Sequence, residues 1–581
     1  MVDVNSIALS TENLHITSDK QLHKHQCSSD VDSYLVGDEF SKSWDLNKLN
    51  LPPKPSASIG YKVVNEEGSS LSLDQVYANG PLSCSDTIPA HFKHLKCLTK
   101  GNSKTVYQAT FSVKTETGLN FRPGDSISIF PENNSQTVSW LLGRLTLDNL
   151  QDADTPFILE SVSTQARNVP TWLIPGRSTS LRFLLTYCCE LYIPITRRIL
   201  RLLADHCIDD STNSISAERQ RNRLLEFCSQ EGKKMFEMYI QKPELNLLDI
   251  LYIFSSCRLP FIRLLEILPR LQPRSYTLIN LVDEPLSQEQ DLIFIFTRVD
   301  FLENMVVNSN SHDNASSIIC RYPHRYHGTC TGWLERIWFG INQPDDYFKN
   351  TFVNLKTPTI HVYLRQNLTQ FNLPADINQP IIMIGAGSGI APFISFIRQR
   401  KRDYLKTQAS AGNLWLIYGC RSPTSSLLFK EELSDALNTK VLSHLCLCFS
   451  RAAINSPNDK YTLDEISTEL VEQACFPIKS HYVQECIFHE YSIDNKPSEH
   501  DIQLMNFVYE KNAKIMICGE AYGLATGVFQ SWIKLIAMRI QYTQTKIWCT
   551  YSELSVEELK HAEEYLQQMR KSKYYQEDIW R

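Results

Sequence analysis

The residues best able to do chemistry begin at a glycine turn. The apolar run Ile381-Ile382-Met383-Ile384 leads into Gly385-Ala386-Gly387-Ser388-Gly389-Ile390-Ala391-Pro392-Phe393. A buried strand thus meets a glycine-rich turn and then a helix with Pro392 near its start. The glycines let a backbone approach a pyrophosphate closely, and a helix N-terminus offers unpaired N–H groups and a positive dipole. The spacing is not GxGxxG, and no acidic residue ends the next strand to hold a ribose 2′-hydroxyl. That strand ends Tyr418-Gly419-Cys420-Arg421, and the following one ends Phe449-Ser450-Arg451. A guanidinium fork pairs a phosphate bidentately, so arginines at consecutive strand ends suit a 2′-phosphate. The expected nucleotide is NADPH rather than NADH.

Elements that could position these groups follow from apolar periodicity. Tyr107, Ala109, Phe111 and Val113 alternate with polar neighbours, a period of two that predicts a strand from about Thr105. The turn Phe121-Arg122-Pro123-Gly124-Asp125 and the alternating run Ser126–Phe130 continue the antiparallel pattern. Between residues 165 and 270, Ile199/Leu202/Leu203, Leu247/Leu248/Leu251/Tyr252 and Phe261/Leu264/Leu265/Leu268 recur at helical spacing. Strand-like sequence resumes at Arg274-Ser275-Tyr276-Thr277 and Leu292–Thr297. Beyond Pro380, short apolar strands at Ile381–Ile384, Leu414–Tyr418, Leu445–Phe449 and Ile515–Cys518 alternate with helices, the βαβ rhythm of a parallel sheet.

Composition narrows the class. The 58 Lys and Arg against 64 Asp and Glu leave a net −6, without the basic stripe of a nucleic-acid binder. No uncharged apolar run approaches the roughly 18–20 residues of a spanning helix, and the N-terminus does not read as a signal peptide. The 17 cysteines contain no CxxC pair, so they read as reduced thiols in a cytoplasmic protein. The close pairs Cys188-Cys189 and Cys446/Cys448 read as core packing, and no metal is expected.

In order, the Gly385–Phe393 turn, Tyr418–Arg421 with Leu428–Leu433 after it, Ser450-Arg451, Tyr482-Val483-Gln484 and Cys518-Gly519-Glu520-Ala521 resemble the NADPH domain of the ferredoxin–NADP reductase superfamily, its diflavin branch above all. The likeness implies that Gly385, Gly387, Ser388 and Gly389 hold the pyrophosphate. It gives Arg421, Ser450, Arg451, Tyr482 and Gln484 the 2′-phosphate and adenine, and puts Cys518 near the nicotinamide. Arg274-Ser275-Tyr276-Thr277 resembles the branch's flavin motif: Arg274 would neutralise a pyrophosphate oxygen, Tyr276 cover a flavin face, and Thr277 hydrogen-bond near the flavin N5. Gly328-Thr329-Cys330-Thr331 resembles the segment whose N–H groups and threonine hydroxyl bind the FAD pyrophosphate. The terminal Asp578-Ile579-Trp580-Arg581 resembles the branch's C-terminus, where the tryptophan stacks on the isoalloxazine. Asp578, with Cys518 and Thr277, would then favour hydride transfer by stabilising charge that develops on the nicotinamide. Three departures stand out. His481 replaces a lysine, Glu520 replaces an aspartate, and Gly527 stands where an acid is usual. About thirty residues between Arg451 and Tyr482 read as a loop insertion.

The implied layout is α+β and α/β: an antiparallel β-barrel FAD domain with a helical connecting insertion, then a Rossmann-like parallel-sheet NADPH domain. Residues 1–75 read as a flexible lead-in, 76–164 and 271–376 as the two parts of the barrel, 165–270 as the helical insertion and 377–581 as the NADPH domain. Only about 80 residues precede the β-region, too few for a typical doubly wound domain. An FMN-bearing flavodoxin-like domain is therefore expected as a separate partner or from a missing segment. Leu268–Arg274, Gly328–Leu334 and Leu373–Gly385 resemble the methionine synthase reductase group most, which implies methionine synthase as the ultimate partner. Alternatives are a sulfite-reductase-type or haem-protein reductase subunit, or a non-catalytic chaperone of a cobalamin enzyme.

Overall fold

The computed structural model describes residues 48–64, 70–78, 87–101, 103–114, 116, 119–162, 176–209, 217–283, 287–299, 304–308, 316–320, 322, 328–342, 359–365, 370–407, 413–451, 465–473, 482–488, 497–520, 523–548 and 551–580. The chain forms two compact units.

The first unit draws on Met1–Val76, Asn133–Leu271 and Phe301–Tyr326. Its helices include Arg197–Ala204, Ala217–Cys228, Leu247–Ile253 and Phe261–Ile267, so the helical periodicity read from sequence is realised. Local chemistry starts them. Thr196 caps one N-terminus by accepting from the Ile199 N–H, and Asn246 with Asp249 forms a reciprocal capping box on another. The expectation of a flexible lead-in needs correction at its C-terminal end. Ile59–Val63 is a strand, paired antiparallel with Phe157–Ser161. Tyr61 rests edge-on against Phe157 and Phe261, a hydrophobic anchor that the Ser- and Asn-rich composition around it masks.

The second unit draws on Tyr77–Glu132, Gln272–Asp300 and His327–Arg581 and contains both sheets that matter for function. Six strands make the first: β1 Ile88–Cys97, β2 Val106–Lys114, β3 Ser126–Ile129, β4 Arg274–Thr277, β5 Glu289–Thr297 and β6 Ile360–Arg365. They lie in the order β5-β2-β1-β6-β3-β4. A bridge between Leu278 and Phe294, with the Ile279 N–H donating to the Ile293 carbonyl at 2.8 Å, joins β4 back to β5. The sheet thus closes into an antiparallel barrel, and closure removes its exposed edges. Phe92, Phe111, Ile127, Phe294 and Val362 fill the interior.

Residues Thr329–Asn342 form helix α1, which plugs this barrel with Cys330, Trp333, Leu334 and Ile337. The second sheet is parallel: β7 Ile381–Ala386, β8 Leu414–Cys420, β9 His444–Phe449, β10 Lys514–Glu520 and β11 Tyr575–Trp580, ordered β9-β8-β7-β10-β11. Its helices are α2 Ala391–Thr407, α3 Lys430–Asn438, α4 Glu465–Gln473, α5 Val483–Ile487, α6 Glu499–Tyr509, α7 Leu524–Thr545 and α8 Val556–Lys571. Helix α4 corrects the expectation of a plain loop between Arg451 and Tyr482. Its Leu470 is fully buried in the core shared with Leu433 and Leu445.

Barrel and parallel sheet are locked together along α2. Arg398 and Arg402 donate to the barrel carbonyls of Ile279 and Val282, each at 2.9 Å. The almost wholly buried Arg400 donates to the carbonyls of Pro374 and Asp376 at 3.0 and 2.9 Å. Guanidiniums satisfying buried carbonyls in this way hold the joint without leaving unpaired acceptors.

Candidate active site

In the parallel sheet the chain leaves β7 for β8 and β9 on one side, then returns to β10 and β11 on the other. The crevice beyond the C-terminal ends of β7 and β10 is therefore the topological switch point, where open α/β sheets bind their ligands. The Gly385–Gly389 turn stands at this crevice. After β7, a single 3-10 turn, Gly387–Ile390, leads directly into α2. A Cβ on Gly389 would meet the Cys518 carbonyl oxygen at 2.2 Å, so only glycine lets the turn nest against β10. At Gly387, by contrast, φ is +57° and nothing lies within 4 Å of the Cβ position. A positive-φ glycine beside open space at a helix start is the cradle a pyrophosphate needs. The Tyr418 hydroxyl donates to the Gly387 carbonyl at 3.3 Å and the Thr297 hydroxyl to Ser388 at 3.0 Å, which ties the turn to the barrel.

At the neighbouring strand ends, the Arg451 N–H donates to the Arg421 carbonyl at 2.9 Å. Burial, then repulsion from Arg451, holds the Arg421 guanidinium below its usual range. Neither has a carboxylate within ion-pairing distance among the described residues. Two crowded cations, with Glu520 pulling only weakly on Arg421, suit a phosphate dianion. Tyr482 lies 53% exposed at the start of α5, free to cover an adenine. Gln484, on α5, packs against Gly527. His481 and Ala521 lie outside the described residues.

The register of the sheet puts Gly385 beside Cys518 and Cys518 beside Asp578. Sequence reasoning treated the C-terminal segment as a tail motif. The structure makes it the fifth strand, and that is what sets Asp578 next to Cys518. Cys518 is fully buried, and burial followed by the nearby Asp578 charge pushes its thiol far up, so it remains a neutral thiol at physiological pH. Burial also raises the Asp578 carboxyl, against the pull of Arg365, a residue the sequence did not single out. Trp580 ends the same strand opposite Glu520 and is 41% exposed.

On the barrel, β4 carries the second group. Tyr276 stacks on Phe294 with centroids 5.0 Å apart. Thr277 shares a hydrogen bond with Ser126 at 3.3 Å. Opposite stands the start of α1. Gly328 has φ +78°, and a Cβ there would meet the Thr331 hydroxyl at 2.5 Å. The segment that resembles a flavin-pyrophosphate site is thus the start of a helix, where main-chain N–H groups gather. The Tyr276 hydroxyl and, further off, the Arg274 guanidinium lie close enough to lower the Cys330 thiol against a larger rise from burial. Arg274, Tyr276 and the Gly328–Thr331 turn, distant in sequence, therefore form one cluster of cation, ring and main-chain donors. That set fits a flavin dinucleotide: its pyrophosphate on the N–H groups and Arg274, its ring system beside Tyr276.

A closed barrel plugged by a helix with a dinucleotide crevice behind it defines an NADPH-dependent flavoprotein oxidoreductase that uses FAD. Residues 80–287 match the FAD binding domain family and residues 383–529 the oxidoreductase NAD-binding domain family. The chain is similar to methionine synthase reductase of Rattus norvegicus, 28% identical over 99% of this chain and 75% of that one. With the Bos taurus protein of the same name it shares 30% identity over 92% of this chain and 66% of the relative. NADPH–cytochrome P450 reductase of Oryctolagus cuniculus is 25% identical over 80% of this chain and 54% of its own length. The chain belongs to the diflavin reductase family.

Proposed function

We propose that this chain receives a hydride from NADPH on its FAD and hands the electrons to a flavodoxin-like FMN domain or protein, for the reductive reactivation of methionine synthase in the cytoplasm. The observation that carries the reading is the row Gly385, Cys518, Asp578 across the switch point, flanked by the Arg421–Arg451 pair. Bound FAD supplies the chemistry the side chains lack: it takes two electrons together and yields them singly. The chain's own residues do the rest. Arg421, Ser450, Arg451, Tyr482 and Gln484 hold the 2′-phosphate and adenine. The Gly385–Gly389 turn holds the pyrophosphate, which aims the nicotinamide at the barrel. Arg274, Tyr276, Thr277 and Gly328–Thr331 hold the flavin. Asp578 and the neutral Cys518 thiol would stabilise charge developing on a bound nicotinamide, and Trp580 would be the ring that packs over the flavin.

The likeness to methionine synthase reductases over almost the whole chain supports the acceptor. Among the described residues no helix is long and apolar enough to cross a membrane, which agrees with work in the cytoplasm. The test is anaerobic mixing of the purified flavoprotein with NADPH, followed by addition of a flavodoxin-like domain and inactive methionine synthase. The expected result is flavin bleaching and then recovered methionine synthesis. A flavin that NADPH does not bleach rejects the enzyme reading, and bleaching without recovery rejects the acceptor.

A further inference from the structure

Beside the nucleotide crevice lies a cluster that hydride transfer does not use. Cys446 and Cys448, two apart on β9, point into the same core as Cys486 of α5. His500, in the first turn of α6, joins them. The ligand atoms of Cys446, Cys486 and His500 all lie within 4.8 Å of one another, and Cys486 Sγ is 4.0 Å from His500 Nε2. Cys448 belongs to the same buried core but lies outside this three-donor group. The Trp415 indole N–H donates to Cys446 Sγ at 3.3 Å, and its ring packs edge-on against the imidazole with centroids 5.3 Å apart.

We propose that Cys446, Cys486 and His500 form a buried structural site for one zinc ion, with Cys448 turning in from the adjoining core as the fourth ligand.

Three thiols and one imidazole are a recognised tetrahedral zinc set, and metal–sulfur bonds of about 2.3 Å place neighbouring sulfurs about 3.8 Å apart. The ligand atoms of Cys446, Cys486 and His500 lie within 4.8 Å of one another, so closing them on an ion takes side-chain shifts of about an ångström, and Cys448 must turn in to complete the tetrahedron. The donors are soft, which selects zinc over magnesium or calcium. His500 supplies the imidazole, a donor that zinc accepts alongside thiolates. Its Nε2 now faces the Cys486 carbonyl at 3.1 Å. Loading moves the ring proton to Nδ1 and turns the Nε2 lone pair to the metal. The three thiols lose their protons as zinc enters, which leaves a net single negative charge that the Trp415 N–H helps to offset. Zinc has no redox chemistry, so the ion would act by tying β9 to α5 and α6. Cys448 stands two residues before Ser450, and Cys486 two after Gln484.

The sequence spacing hid this site. Cys446/Cys448 and Cys486 lack CxxC geometry, and only the fold brings His500 to them.

The experiment is metal analysis of the full 581-residue flavoprotein, purified without chelator from cells grown with zinc. We expect close to one zinc per chain. It should survive dialysis and be released in step with mercurial titration of the thiols. Binding of zinc to the reduced, metal-free protein should expel close to three protons per ion at neutral pH. Cobalt in its place should give thiolate charge-transfer bands and tetrahedral bands in the red, where oxidised flavin is transparent. His500→Ala and Cys448→Ser should each lower zinc content severalfold, with flavin content serving as the check that both still fold. Less than a trace of zinc together with no cobalt bands overturns the proposal. So does zinc content that neither substitution lowers, or a native Cys446–Cys486 disulfide found by non-reducing peptide mapping.

Discussion

Arg451 and Asp578 are the residues at which the reading can be pressed hardest. Only NADPH brings a 2′-phosphate to the Arg421–Arg451 pair. Arg451→Ala should therefore weaken NADPH binding by about 1.5–3 kcal/mol, roughly ten- to hundredfold, and leave NADH almost untouched. Equal losses for both nucleotides, measured by flavin reduction at varied nucleotide concentration, would remove Arg451 from the pocket. Asp578 allows a test with opposite signs. Burial raises its carboxyl above the ordinary 3.8. Between the unfolded and folded values the native state binds the proton more tightly, so stability falls as pH rises through that window. The penalty is fully present above the folded value and absent below the unfolded one. Asp578→Asn should then raise the melting temperature at neutral pH, give no gain near pH 3, and slow flavin reduction by NADPH. Thermal melts at both pH values and stopped-flow reduction check it. A variant no more stable at neutral pH would mean that Arg365 already offsets the burial.

At the scale of elements, a single glycine carries much of the geometry. Gly389→Ala would drive a methyl to within 2.2 Å of the Cys518 carbonyl, backbone that cannot swing aside. The turn or β10 must move, so NADPH binding should fall at least tenfold while FAD content stays near wild type. Equilibrium titration with 2′,5′-ADP and flavin quantification read the two separately, and loss of both would make Gly389 a folding residue instead. The sequence disclosed this turn because glycines between an apolar run and a proline have few other uses. It disclosed β2, β5, β7 and β8 because their alternation or apolarity is unbroken. Other elements were hidden for identifiable reasons. Strand β1 places His91, Lys93 and His94 among its apolar residues and carries a register shift between Phe92 and His94, which breaks the period of two. Strand β11 was masked by its own motif, because Asp578 and Trp580 drew the eye to chemistry and away from its parallel pairing with β10. Arg398, Arg400 and Arg402 carry no signal in the sequence, because the carbonyls they bond come from distant segments. Pairing partners distant in sequence leave no local signature, so the Arg274–Cys330 neighbourhood was legible as residues but not as a cluster, and Asp578 with Cys518 only through the family resemblance.

For the molecule as a whole, the open matter is where electrons leave. On the proposed reading, the described residues would serve entry: the Gly385–Gly389 turn at the crevice, Asp578 beside Cys518, and the cluster between β4 and α1. The matched families are likewise an FAD domain and an NAD-binding domain, and the chain aligns with 75% of the rat relative and 66% of the bovine one. On the proposed reading, a flavin held on the barrel under Trp580 would be reachable by a small oxidant. Transfer to a protein requires in addition a docked surface that brings the acceptor close. The 581-residue polypeptide, expressed as such, should thus release FAD and no FMN, and should reduce ferricyanide with NADPH at a rate well above its reduction of cytochrome c. A flavodoxin-like domain added in trans should raise cytochrome c reduction at least tenfold and leave the ferricyanide rate unchanged, because it supplies a route out without altering hydride entry. Its effect should weaken as salt is raised if charge complementarity guides the encounter, since screening at physiological ionic strength already acts beyond about 8 Å. Fast cytochrome c reduction by the polypeptide alone, with FAD as the sole flavin released, would show that the flavin of this chain docks protein acceptors directly.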